Sequence, residues 1–218
     1  MQRITKRKTM TERFRINLPF EEALNLITAF YVWRVQDRHG TFRFDSNIQQ
    51  RLYEFARYLT QPYPKFGVMF CGTCGNGKTT MLYVLQDVIN ELNAQGHFSF
   101  LSKEFDVGME IIDAKDIVVW AKEEPEKLGF KRRYSMLAID DLGKEPTEVL
   151  DYGNVLSPVV DLLEFRYHYQ LFTAVTTNLT PPEIRGKYGQ RVADRFNEML
   201  EVIRFDDISY RRLNRNGG

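Results

Sequence analysis

Residues 72–79 read Gly72-Thr73-Cys74-Gly75-Asn76-Gly77-Lys78-Thr79, a complete G-x-x-x-x-G-K-T loop. No other stretch constrains the fold so tightly, because each fixed position has a physical duty. Phosphate oxygens need backbone N–H donors aimed inward, and Gly72, Gly75 and Gly77 let the chain curl round them. A helix that starts at the loop points its positive end at the anion. Lys78 is then expected to reach the β- and γ-phosphates and the Thr79 hydroxyl to ligate Mg2+, with Thr80 completing the nucleotide-binding stretch. The flanks agree. Gly67-Val68-Met69-Phe70-Cys71 is a short apolar run of buried-strand type, and Leu82, Leu85, Ile89 and Leu92 recur at helical spacing after it. The plain alternative, a glycine-rich turn, requires neither flank.

From Lys65 onward apolar strands alternate with helices, the pattern of a parallel sheet covered on both faces. Strands are expected at 67–71, 98–101, 135–140, 171–177 and 202–205, and helices at 79–92, 103–128, 153–168 and 189–200. The expected fold class is α/β: a three-layer P-loop NTPase with a five-stranded parallel sheet. Ahead of it, residues 17–36 and a segment from Ser46 read as amphipathic helices. Phe20, Leu24, Ile27 and Tyr31 line the first; Ile48, Leu52, Phe55, Ala56 and Leu59 line the second. Ser46 with Gln49 reads as a capping box. The expected organisation is a basic arm and helical extension over 1–64 and a nucleotide-binding core over 65–218, with both helices packed on the core.

Composition narrows the setting. At 218 residues, 43% hydrophobic and 27% charged, the chain suits one globular domain with a small appendage. No apolar run approaches ~20 residues, so no membrane span is expected. The basic N-terminus lacks a following apolar core, which argues against a secretory signal and for the cytoplasm. The two cysteines, Cys71 and Cys74, form C-x-x-C, but His39, His97 and His168 are scattered and a zinc site has too few ligands. Both read as small residues at a strand end and a loop, with redox regulation the alternative. Net charge is +1, but residues 1–19 carry a local +5 and 204–218 a local +2. Basic ends suit phosphates or an acidic partner, or else a solvated arm.

The third expected strand ends in Ile139-Asp140-Asp141. Asp140 fits a magnesium-linked acid at a strand's carboxyl edge, and Asp141 the neighbouring acid that orients or activates water. Two loop aspartates opening a turn at Leu142-Gly143 are the bland reading. The fourth strand ends Thr176-Thr177-Asn178, where the amide could hold the lytic water; Asn equally suits a strand-ending turn. Arg191 and Arg195 lie four apart, on one helix face. Either could stabilise transition-state charge in a neighbour's site, or simply pair with Asp194 or Glu198.

In order, the loop, Ile-Asp-Asp-Leu-Gly, Thr-Thr-Asn-Leu, Arg-Val-x-Asp-Arg and Ser209-Tyr210-Arg211 resemble the DnaC/DnaI helicase loaders and the related IstB transposition helpers, within the initiator group of AAA+ ATPases. The resemblance covers roughly residues 66–212. It implies that 72–79 is Walker A, Asp140 and Asp141 are Walker B, and Asn178 is sensor 1. Arg195 matches the arginine finger, with Arg191 as second candidate. Residues 103–133 correspond to an extra helical element that bears on single-stranded DNA. Here 103–128 holds eight acids and four lysines, which repels phosphate, so Lys131, Arg132 and Arg133 are the expected nucleic-acid contacts. No counterpart is expected here for the small C-terminal lid of most AAA+ proteins, with its sensor 2 arginine; loaders of this family can be lidless.

The resemblance implies an Mg2+-dependent ATPase, slow unless assembled into an ATP-dependent homo-oligomer. Its role would be loading or remodelling a replicative helicase, with single-stranded DNA as second ligand. Three alternatives stand beside it. One is an IstB-like helper on duplex DNA that recruits a transposase. Another is a small-molecule P-loop kinase, against which Thr176-Thr177-Asn178 and the arginine pair argue. The last is a nucleotide-gated adaptor with negligible turnover, against which the intact Asp140-Asp141 pair argues.

Overall fold

The computed structural model describes residues 13–38, 42, 44–94, 108–151 and 154–205. Its strands are β1 (Gly67–Gly72), β2 (Glu110–Asp113), β3 (Met136–Leu142), β4 (Val149–Asp151), β5 (Asn154–Leu156), β6 (Phe172–Thr177) and β7 (Glu201–Phe205). Five form one parallel sheet in the order β2-β3-β6-β1-β7, and β4 and β5 pair as a separate antiparallel hairpin. In the sheet Phe70 stands between Thr176 and Ile203. β1 and β6 are central and covered on both faces, which is why they read as nearly continuous buried runs.

The helices are α1 (Phe20–Asp37), α2 (Ser46–Thr60), α3 (Lys78–Ala94), α4 (Ala114–Glu123), α5 (Pro125–Lys131), α6 (Pro158–His168), α7 (Pro181–Tyr188) and α8 (Gln190–Met199). One face of the sheet is covered by α1, α2 and α3, whose Ile27, Tyr31, Phe55, Leu59, Leu82 and Leu85 share a core with Phe70 and Phe205. Phe55 meets Phe70 edge-on at 5.3 Å. The other face is covered by α4, α6, α7 and α8 around Met69, Leu137, Ile139 and Val175. Each large apolar side chain so buried contributes roughly 1.5–3 kcal/mol by leaving water. This is the expected three-layer α/β fold. Helices α1 and α2 bury their sequence-predicted faces within the same core as the sheet, and Ile16 N–H donates to Leu59 C=O at 2.8 Å.

Some local expectations are corrected. Residues 103–128 do not form one helix: Glu110–Asp113 is edge strand β2, paired in parallel with β3 through Ile112 opposite Ile139. A polar-Ile-Ile-polar tetrad fits helical spacing as well as a short strand, and only the available sheet edge decides between them. Asp113 then stops the strand and caps α4, its carboxylate accepting from Lys115 N–H at 2.8 Å. The cap of α2 is Asp45, not Ser46: Asp45 Oδ1 accepts from Ile48 N–H at 2.9 Å. Helix α6 begins at Pro158 rather than 153, because the β4–β5 hairpin occupies the preceding residues. Helix α7 was not anticipated; its eight residues follow Thr180, whose N–H donates to Glu183 Oε2 at 2.7 Å. The strand expected at 98–101 lies outside the described residues.

A buried cation ties the lower edge together. Arg166 donates to Thr173 Oγ1 at 2.9 Å and to the carbonyls of Tyr134 at 2.8 Å and Arg132 at 3.2 Å. Full burial lowers its guanidinium to about 9. Among the described residues, no helix is long and apolar enough to cross a membrane.

Candidate nucleotide-binding site

All five sheet strands run the same way, so their carboxyl ends gather the loops that carry chemistry. After β1 the chain turns through Gly72, Gly75 and Gly77 at φ of 136°, 90° and 97°, conformations that side chains resist. The cradle is braced from two sides. Thr73 N–H donates to Phe205 C=O at 3.2 Å, and the Asn76 amide donates to that same carbonyl and to Thr73 Oγ1 at 2.8 Å. A Cβ at Gly72 would sit 2.2 Å from Phe205 O, and one at Gly77 2.5 Å from the Tyr31 hydroxyl. Helix α3 begins at Lys78, so its open first-turn N–H groups and positive dipole end face the loop.

Lys78 is buried, and its ammonium donates to Gly72 C=O at 2.9 Å and to Thr73 C=O. Burial lowers its pKa, opposed by the nearby Cys74 thiol and the Asp141 carboxylate. The next side chain turns toward β3: Thr79 Oγ1 donates to Asp140 Oδ1 at 3.1 Å. Thr176 Oγ1 donates to that same oxygen and accepts from Asp141 N–H at 2.8 Å. One hydroxyl at the tip of β6 therefore orients both aspartates, which is possible because β6 lies between β1 and β3. Asp141 itself has φ 58° and pairs with Lys144 Nζ at 2.5 Å. That bond raises the Lys144 pKa.

These residues fit a magnesium nucleotide. Among the described residues no cluster of three or more His, Cys, Asp or Glu could hold a metal by itself. Mg2+ needs no such cluster: it takes one or two hard protein oxygens and completes its shell with phosphate and water. Thr79 Oγ1 and Asp140 Oδ1 are two such oxygens in contact beside a positively charged, N–H-lined loop.

The structure brings 72–80, Asp140 and Asp141 to one edge. Asn178 is exposed one residue beyond β6, at that same edge. Arg191 and Arg195 are on α8, and both meet Glu164 of α6, at 3.2 and 2.5 Å, rather than Asp194 or Glu198. The Arg195 guanidinium also lies 5.0 Å from the Tyr167 ring. In the triplet, Lys131 pairs with Glu110 at 2.6 Å, Arg132 covers Phe165 at 4.6 Å, and Arg133 is exposed. Sequence reasoning missed Thr176, Tyr31 and Lys144. The Thr-Thr-Asn run was legible, but nothing in it says that the first threonine faces the aspartates. Tyr31 lies 46 positions before Gly77, and only packing brings them together.

At the level of sequence, no protein-family model and no curated protein matches the chain. Solved structures do. The DnaC helicase loader aligns over 76% of this chain and 94% of its own at 20% identity, with a TM-score of 0.56. DnaI aligns over 91% and 97% at 17% identity, again with a TM-score of 0.56. AMPPCP-bound DnaA from Aquifex aeolicus aligns over 78% of this chain and 50% of its own at 18% identity, with a TM-score of 0.50. The chain thus shares the fold of the proteins that its motif order resembles.

Proposed function

We propose that this chain is an Mg2+-dependent ATPase of DNA replication that loads or remodels a replicative helicase. The observation that carries the ATPase reading is the contact between Thr79 and Asp140 at the mouth of the phosphate loop, with Asp141 next in line. Bound Mg·ATP supplies an electrophilic γ-phosphorus and the metal's charge. The chain's residues do the rest. Loop N–H groups and Lys78 hold phosphate oxygens, and Thr79 and Asp140 offer oxygens to the metal. Asp141 takes the proton of the attacking water, and Asn178 positions that water. The replication role rests on the motif order together with the fold shared with the DnaC helicase loader.

Affinity capture with ATP and a slow-hydrolysing chain tests the partner. A replicative helicase should co-purify; a transposase would instead favour the transposition helper, and footprinting would then show duplex rather than single-stranded DNA protected.

Two results are expected from this reading. The arginines of α8 act in a neighbouring subunit's site. Arg195→Ala should bind ATP almost normally yet hydrolyse it about a thousandfold more slowly, the lower end of an arginine finger's effect. Mixing it with Lys78→Ala should restore activity, because a mixed interface pairs one intact loop with one intact arginine. A rate independent of protein concentration, with no recovery in proven mixed assemblies, would place the site within one subunit.

The basic triplet should contact phosphates without reading bases. Replacing Lys131, Arg132 and Arg133 by alanine should weaken single-stranded DNA binding and flatten its salt dependence. Arg133→Ala alone should carry most of that change, since Lys131 and Arg132 already hold intramolecular partners. Equal affinity and salt slope in both variants would rule the surface out.

A further inference from the structure

The chain leaves β3 through a turn whose second carboxylate is not at the site. Asp141 and Gly143 have φ of 58° and 107°, and Lys144 N–H donates to Asp141 C=O at 3.2 Å. Glu145 then turns inward and is 2% exposed. A carboxylate so placed needs donors for both oxygens. Oε2 accepts from Gly143 N–H at 2.8 Å, and Oε1 accepts from the Tyr188 hydroxyl. Lys187 Nζ stands 3.9 Å from Oε1 and donates to the Glu145 carbonyl at 2.5 Å. The same burial and the same bond push the Tyr188 phenol far above its usual range.

Tyr188 is the last residue of α7. Gly189 follows at φ 85°, and α8 with Arg191 and Arg195 starts immediately after. Ahead of α7, Thr177 Oγ1 at the end of β6 donates to Leu142 C=O at 2.7 Å, and the side chain of Leu179, in the link from β6 to α7, packs so closely on Gly143 that a Cβ there would lie 2.7 Å away. The 141–145 turn is therefore bound both to the link between β6 and α7 and to the last turn of α7. The link holds Asn178; the end of α7 is the joint from which the arginine helix departs.

We propose that Glu145 is a positioning residue, a buried strut that fixes the joint between α7 and α8 to the turn carrying Asp141, so that the carboxylate and the arginine helix keep a set mutual geometry. This rests on the ATPase reading for its catalytic consequence, but the mechanical link exists independently of it. Leucine at 145 offers no acceptor where two donors converge, so both Gly143 and Tyr188 lose their partner, whereas glutamine could keep both contacts by donating its amide to the Tyr188 hydroxyl. Phenylalanine at 188 removes the Tyr188 contact from the other side.

The test uses the full chain. Glu145→Leu and Tyr188→Phe should each lower kcat for ATP about tenfold with KM within twofold of wild type. The double variant should be no slower than the worse single one, because one contact is lost in all three. Hydrogen–deuterium exchange should rise in 141–145 and in 189–199 together, with β1 and α3 unchanged. Exchange confined to 141–145, or additive losses in kcat, would overturn the strut. A general rise in exchange with loss of ATP affinity would mark Glu145 as a fold residue only, which also overturns it. If wild type fails to hydrolyse ATP, the ATPase reading falls, and coupled exchange at 189–199 still decides for or against the strut.

Discussion

Lys78→Ala is expected to lose ATP affinity by at least a hundredfold while the chain stays folded. The ammonium lies inside the phosphate cradle, on the carbonyls of Gly72 and Thr73, and it would give the β- and γ-phosphates charge-assisted hydrogen bonds worth roughly 1.5–3 kcal/mol each. Two such bonds at the low end already amount to that factor. The fold should survive because, among the described residues, this buried lysine's hydrogen-bond acceptors are two backbone carbonyls, those of Gly72 and Thr73. Burial already disfavours its charged form, so removing it relieves a desolvation cost. Titration calorimetry with ATP and Mg2+, paired with a thermal melt, reads both halves. Unchanged affinity in a folded Lys78→Ala chain would refute the phosphate-binding assignment.

Asp141→Asn should separate binding from turnover. Asparagine keeps the size and the backbone N–H that donates to Thr176, but it removes the oxygen charge that accepts water's proton. ATP should bind within a few-fold of wild type, and hydrolysis should fall by about a hundredfold or more, the scale of a lost general base. The Lys144 pair adds a second readout. Its ammonium titrates high because Asp141 holds it, so the variant's Lys144 pKa should fall back toward that of an ordinary lysine. Single-turnover kinetics gives the first quantity and side-chain NMR of Lys144 the second. Wild-type hydrolysis in a variant whose Lys144 pKa has dropped would leave Asp141 as a turn residue.

The parts most legible in the chain were those whose chemistry is local. The glycines of 72–77 announce their own backbone, and Thr79 follows Lys78 by covalent necessity. Asp140 and Asp141 end an apolar run, so their place at a strand tip could be read directly. The α2 face of Ile48, Leu52, Phe55, Ala56 and Leu59 is buried as its spacing implied. What failed locally were boundaries where two structures fit one pattern. Ile111-Ile112 serves a helix or an edge strand equally, and Asp45 and Ser46 are both good caps one residue apart.

By itself, then, the sequence determined a phosphate loop between a strand and a helix, a pair of acids at another strand's end, and an α/β chain to carry them. The sheet order was decided only by the tertiary structure. Putting β6 between β1 and β3 lets Thr176 bridge Asp140 and Asp141, a pairing that depends on which strands hydrogen-bond across space. Packing also set Tyr31 against Gly77, turned Glu145 inward onto Tyr188, and gave both arginines of α8 to Glu164. Contacts between residues far apart in sequence leave no periodic signal along the chain. They exist because burial forces each polar group to find a partner among whatever neighbours the fold supplies.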